Sequence, residues 1–281
     1  MSDAEHSNVV LIEDRLWVVT EPTGMPAYDF AFEDFFACRH PFRRPEAIRA
    51  VARMGAASDY AQRYEACKSQ GVELIHAPAE YDRTSLLPHW YPLIEDLTPR
   101  SRWWLDRRPS AAEIGREFRW PVFLKGARQT SRHQKSLSVA TSAAEYDRVM
   151  AGWDADPILC WQGLVCREYV DLRKVGVSSD QTLPTAFEFR SFWWRGACVG
   201  IGPYWKGVSY AMTPAERAAA LAIAGEAARR LAVTFLVVDV AQTAAGAWTV
   251  IECNDGQDAG YAGIAPMPMW RKILDIESGA A

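Results

Sequence analysis

Two valine-rich runs near the C-terminus, 235–241 and 247–254, constrain this chain most, because each sets one acidic residue in an otherwise apolar strand. The small residues between them, Thr243, Ala244, Ala245 and Gly246, predict a tight hairpin. A turn centred between Ala245 and Gly246 sets Asp239 opposite Glu252. Directly opposed side chains have Cβ atoms about 4.5–5.5 Å apart. Asn254, two residues beyond Glu252, points to the same face. Two carboxylates and a carboxamide oxygen therefore converge. Facing acids repel unless a cation lies between them. A small, incomplete set of hard oxygen ligands suits Mg²⁺, which keeps waters and draws further ligands from substrate phosphates. On spacing alone, the solvent face of an edge hairpin with hydrated acids stands as the alternative.

The rest of the chain alternates strand and helix signals, as an α/β chain does. Asn8–Ile12 and Leu16–Thr20 read as strands around Glu13 and Asp14. Over 45–70, Ile48, Val51 and Met54, then Tyr60, Tyr64 and Cys67, fall at helical spacing and predict a helix broken near Gly55. Gly71 stops it, and 72–76 is a strand. Ser110 with Glu113 forms a capping box for a helix over 110–118, and 121–125 is a buried strand ending in Lys125. A polar, basic loop over 126–136 precedes a helix at 142–150 and a strand at 164–170. Strands 187–194 and 197–204 form a hairpin around Arg195 and Gly196. Thr213, Pro214 and Glu216 start a helix running to about Leu231. The tail 275–281 is expected to fray. The texture changes after Arg100, so an N-terminal α/β unit over 1–109 and a larger α+β unit over 110–281 are expected.

Composition excludes several classes. Among 281 residues, 31 are basic and 35 acidic, which leaves no excess charge for a nucleic-acid backbone. No apolar stretch is long enough to span a membrane. The polar, acidic start is unlike a secretory signal. Six scattered cysteines lack zinc-type spacing and read as reduced thiols of a cytoplasmic protein. Twelve tryptophans imply an aromatic-rich core, or else a surface for a protein partner.

The segment Phe235-Leu-Val-Val-Asp239, with Trp248-Thr-Val-Ile-Glu252-Cys-Asn254, resembles the C-terminal metal-binding signature of the ATP-grasp superfamily, down to the Glu-x-Asn ending. Further signatures follow the family order. Pro121-Val-Phe-Leu-Lys125-Gly126 is similar to the strand whose lysine contacts nucleotide phosphates. Arg167-Glu168-Tyr169-Val170 resembles the strand lining the adenine pocket, with Asp171 facing the ribose. Glu188-Phe-Arg190 resembles the strand whose arginine reaches the transferring phosphate. The basic loop and the compact size match a small branch of the superfamily with extra Arg and Lys around the site.

The resemblance implies an ATP-grasp fold, two α+β subdomains clasping a nucleotide behind a small pre-ATP-grasp domain. It assigns Lys125, Glu168, Tyr169, Val170, Asp171 and Arg190 to ATP, with Lys125 and Arg190 catalytic. Mg²⁺ falls to Asp239, Glu252 and Asn254. It implies a carboxylate–amine ligase acting through an acyl phosphate, on small-molecule or peptide substrates. Arg128, His133, Lys135 and Lys206 are candidate contacts to an anionic substrate, with Arg132 beside them. On the residues alone, Lys125 can instead snorkel from its strand end. Arg190 can merely stack on Phe187, Phe189 and Phe192, Glu168 can pair with Arg167 or Arg173, and the basic loop can be simply solvated. A phosphotransferase and a non-catalytic ATP-binding assembly protein are the alternative functions.

Overall fold

The computed structural model describes residues 8–40, 45–55, 59–128, 134–176 and 183–279. The chain begins with a tight hairpin, β1 (Asn8–Ile12) and β2 (Leu16–Thr20), whose turn residues Glu13 and Asp14 both have positive φ, 48° and 55°. That geometry matches the right-handed twist of the flanking strands. β3 (Cys38–Arg39) pairs with β1, while β4 (Ile48–Arg53) runs parallel to β2 and β5 (Val72–Leu74) parallel to β4. The sheet order is β3-β1-β2-β4-β5.

β4 corrects the helix expected across the first part of 45–70; only α1 (Tyr60–Ser69) is helical there. Ile48, Ala50, Val51 and Ala52 are all buried because β4 lies between two parallel neighbours. A strand covered on both faces is apolar almost continuously, so a helical reading of its spacing is accidental. α2 (Pro78–Ser85) and α3 (Leu87–Trp90) then occupy a stretch that carries no clear periodic signal.

The second sheet holds β6 (Ser101–Trp104), β7 (Val122–Gly126), β8 (Val139–Ala140) and β9 (Leu164–Glu168), antiparallel in the order β6-β9-β7-β8. β6 lies short of the division drawn at residue 109, yet it is hydrogen-bonded into this sheet through β9. Around the sheet lie α4 (Ala111–Glu117), capped by Ser110 and Glu113 as expected, α5 (Lys135–Ser138) and α6 (Ala143–Ala155). Their shared core includes Ile114, Leu124, Tyr146, Trp153 and Cys166.

The third sheet, in the order β11-β10-β12-β13, combines β10 (Glu188–Trp194) and β11 (Ala197–Pro203) with β12 (Phe235–Gln242) and β13 (Trp248–Asp255). The alanine-rich α7 (Pro214–Leu231), started by the Thr213 and Glu216 capping box, buries its small face against Leu236, Val238, Val240 and Val250. The opposite face, with Phe192, Phe235 and Val237, packs against the N-terminal sheet and against α8 (Pro266–Glu277). α8 corrects the expected fraying from 275: its last residue, Glu277, accepts a hydrogen bond from Trp194 Nε1 at 2.7 Å and pairs with Arg195. Trp90, Trp153, Trp194 and Trp270 are fully buried and Trp17, Trp103, Trp104, Trp120 and Trp248 pack partly buried against the cores, while Trp161 is exposed. Among the described residues, no helix is long and apolar enough to cross a membrane.

Candidate active site

Asp239 does lie opposite Glu252, but by a route the sequence does not show. The hairpin turn is centred on Ala245, with Gln242 facing Trp248, Ala241 facing Thr249 and Val240 facing Val250. Continued without interruption, that register would face Asp239 with Ile251 and turn Glu252 toward Val250's side of the sheet, into the core under α7. Instead Ile251 is an extra, unpaired residue, a β-bulge, and beyond it Glu252 faces Asp239. Bulges re-aim side chains in this way beside functional sites.

β10 adds a third member, because Arg190 is the direct partner of Asp239 on its other side. Arg190, Asp239 and Glu252 thus form one row across three strands. The guanidinium grips Asp239 with both arms, at 2.9 and 2.7 Å, and donates to the Gly260 carbonyl at 2.9 Å. Its carbon also lies 5.0 Å from the Tyr204 ring centroid. From the facing sheet, Lys125 at the end of β7 forms an ion pair with Glu252. Asp239 is 1% exposed and Lys125 4%, which overturns the hydrated-edge alternative for the acids and the snorkelling alternative for the lysine. Asn254 is half-buried two residues beyond Glu252 on the same strand.

The charges here are held by one another. Burial alone would raise the Glu252 carboxyl, but the Lys125 ammonium outweighs it and holds the group below its usual range. Glu188 is pushed up to about 8 by burial and by the nearby Asp239 charge, and accepts a hydrogen bond from Trp205 Nε1 at 3.0 Å. Burial likewise lowers Arg167 to about 10. Burial also outweighs Arg190 and raises the Asp239 carboxyl, so the cations Lys125, Arg167 and Arg190 gather here around acids that burial disfavours as anions.

Lys125, Arg167, Glu188 and Glu252 of this cluster line a cavity of about 140 Å³, with Arg190 and Asp239 in contact with them just behind its lining. Glu168, Tyr169, Val170, Asp171, Tyr204 and Trp205 line it as well. Among the described residues, no three His, Cys, Asp or Glu side chains form a metal cage. What is present is two carboxylates and a carboxamide on one face, a donor set that suits Mg²⁺ completed by phosphate oxygens and water.

The family model for the ATP-grasp domain, R-two-K clade family 3, matches residues 102–273. The chain belongs to that family. Its fold is shared with ATP-grasp structures of low sequence identity. An ATP-grasp RimK domain protein from Sphaerobacter thermophilus is 16% identical, with a TM-score of 0.53 over 83% of this chain and 79% of its own. D-alanine–D-alanine ligase from Bacillus anthracis, solved with ATP, is 10% identical, with a TM-score of 0.56 over 81% of this chain and 77% of its own. D-alanyl-alanine synthetase A from Vibrio cholerae is 12% identical, with a TM-score of 0.51 over 81% and 75%. No curated protein matches.

Within this ATP-grasp domain, Lys125, Arg190, Asp239 and Glu252 meet, and the 168–171 segment shares a cavity with Lys125 and Glu252. The substrate candidates do not join them. Arg128 pairs with Asp82 of α2 at 2.7 Å and lies over the Tyr81 ring. Lys135 is exposed at the start of α5, and Lys206 is exposed beside the cavity residue Trp205. His133 and Arg132 lie outside the described residues. Sequence reasoning missed Glu188 and Arg167 as site residues. Glu188 had a signal, since it stands two residues before Arg190 on one strand; Arg167 shows itself only through its long-range partners.

Proposed function

We propose that this protein is an ATP- and Mg²⁺-dependent carboxylate–amine ligase that forms an acyl phosphate and releases ADP and phosphate. The observation that carries this reading is the row Arg190, Asp239 and Glu252, met by Lys125 from the facing sheet where Glu252 and Lys125 line the cavity. Adenine would lie against Tyr169 and Val170, with Glu168 and Asp171 toward the ribose. Asp239, Glu252 and Asn254 would hold Mg²⁺, which when bound supplies charge neutralisation of the terminal phosphates.

The surplus of buried positive charge favours a polyanion, and a triphosphate meets it. Lys125 would exchange Glu252 for phosphate oxygens, freeing that carboxylate. Arg190, a planar and permanently charged fork, would stay on Asp239 while facing the transferring phosphoryl group. Glu188, neutral at pH 7, adds no further negative charge. Catalysis is then positioning and electrostatics, as phosphoryl transfer requires. Exclusion of water would protect the acyl phosphate until the amine attacks. Arg128, Lys135 and Lys206 are proposed contacts for an anionic acceptor. The six free thiols fit a cytoplasmic setting.

Calorimetric titration of ATP into the wild type and Glu252→Gln, with and without Mg²⁺, tests the reading. Binding should require Mg²⁺ for full strength and weaken in the variant; no binding to the wild type would overturn it. A screen of paired acids and amines then follows ADP release. Release with a hydroxyl acceptor alone would identify a phosphotransferase, and tight binding without turnover an ATP-binding assembly protein.

A further inference from the structure

The bulge at Ile251 decides which way Glu252 faces, so what holds the bulge is a functional matter. Two groups hold it. Leu97 and Thr98 cover Val250, with Val250 N–H donating to the Leu97 carbonyl at 2.8 Å and the Thr98 side-chain hydroxyl donating to Val250 O at 2.9 Å. The bulged residue's own carbonyl is bound by Arg167, whose Nη1 donates to Ile251 O at 2.6 Å. Arg167 stands on β9, next to Glu168 and the cavity wall, and is 4% exposed. Its Nε donates to Ser101 Oγ at 3.0 Å, which fixes the plane of the guanidinium, and its carbon lies 5.8 Å from the Trp90 ring centroid. Among the described residues, Nη2 has no partner. A buried arginine with an unused donor is an expensive way to cover one edge carbonyl, and a neutral side chain would do that at lower cost.

We propose that Arg167 is a positioning residue that pins the β13 bulge and thereby couples the cavity-wall strand β9 to the facing of Glu252 toward Asp239. The proposal rests on the reading of Glu252 as a metal ligand. The guanidinium fork spans two points in different strands, Ser101 Oγ on β6 and Ile251 O on β13, with a rigid spacing that an ammonium cannot reproduce. Release of the carbonyl lets the bulge migrate or relax. Because a strand's side chains alternate faces, a slip of one residue would move Glu252 from the cleft to the core side. Arg167 acts through the Ile251 carbonyl, one residue before Glu252, not through a hydrogen bond to either carboxylate.

The test compares the wild type, Arg167→Lys and Arg167→Met by two readouts. The first is the Mg²⁺ concentration for half-maximal effect on ATP binding, beside ATP binding in chelator. Loss of support around a metal ligand costs about 10–100-fold in metal affinity, so Arg167→Met should raise the Mg²⁺ requirement by about that factor, over and above whatever ATP binding in chelator loses when a cation lining the cavity is removed. Arg167→Lys should fall nearer Met than wild type. Full rescue by Lys would mean that charge alone matters, and an unchanged Mg²⁺ requirement in Met would mean that the bulge holds without Arg167; either overturns the proposal. The second readout, amide hydrogen exchange across 249–253, needs no ligand. Faster exchange there in both variants, with β12 unchanged, supports the latch, and unchanged exchange overturns it. If the wild type binds no nucleotide, the ligase reading fails while the exchange data still decide the latch. Should Arg167→Met not fold, the Lys variant carries both readouts.

Discussion

Two buried polar clusters meet along one strand, and their partners differ in kind. At Glu252 and Asp239, the carboxylates are held by full cations, Lys125 and Arg190. Three residues further on, Asp255 is held by neutral donors: His76 Nδ1–H at 2.5 Å, Thr84 Oγ1 at 3.2 Å and the Gln257 N–H at 2.9 Å. Phe235 N–H donates to His76 Nε2 at 3.1 Å, which makes that nitrogen an acceptor and puts the ring proton on Nδ1, although the Asp255 carboxylate outweighs burial and raises the imidazole above its usual range. Nearby, Tyr81 donates to Asp258 at 2.5 Å and stacks on Tyr60. Arg53 donates to the carbonyls of Gly256, Tyr28 and Ala259, tying the 256–259 loop to β4. A carboxylate satisfied by short, neutral side chains and backbone has nothing to exchange, so that cluster locks the N-terminal unit onto the end of β13. A carboxylate held by a long lysine can trade its partner for a ligand. The difference separates a joint from a site.

The comparison breaks most visibly at Arg190. Arg190→Met strands a buried Asp239, and breaking a buried pair costs about 3–5 kcal/mol; urea denaturation should register it alongside loss of ATP-dependent turnover. A loss below about 1 kcal/mol would mean that Asp239 simply takes up a proton. At the joint, His76→Phe leaves a carboxylate oxygen and the Phe235 N–H short of partners. An unsatisfied buried group costs about 1–3 kcal/mol, so stability should fall while Mg²⁺–ATP affinity stays within about 3-fold. A large affinity loss would show that the joint belongs to the site after all.

The last effect is a slope, small per pH unit. Burial, with the Asp255 charge beside it, raises Asp258 to about 7. Between its unfolded pKa near 4 and this value the folded chain holds a proton that the unfolded chain has lost. Stability therefore falls as pH rises through that window, by at most about 1.4 kcal/mol per pH unit for this one group. Asp258→Asn keeps an acceptor for Tyr81 and should flatten melting temperature between about pH 4.5 and 7; an unaltered slope would place the titration elsewhere.

Legibility followed the range of the forces. Ser110 with Glu113 and Thr213 with Glu216 mark their helices because a capping box acts within one turn. The β1–β2 and β10–β11 hairpins were readable from their turns, and the four charged residues Lys125, Arg190, Asp239 and Glu252 picked from the sequence do meet in space. The strand at 48–53 was not, since its helical-looking spacing is overridden by neighbours it meets only on folding.

The sequence alone thus determined which side chains were available for chemistry, in what order, and where helices and hairpins start. Only the tertiary structure decided that Ile251 bulges, that Arg167 from another sheet holds it, that Glu188 is buried enough to keep its proton, and that Arg128 turns to Asp82 instead of the cleft. Caps and turns are settled by residues a few positions apart. Facing, protonation and ion pairing are settled by burial, and burial here brings together residues more than eighty positions apart, as Arg167 and Ile251 show.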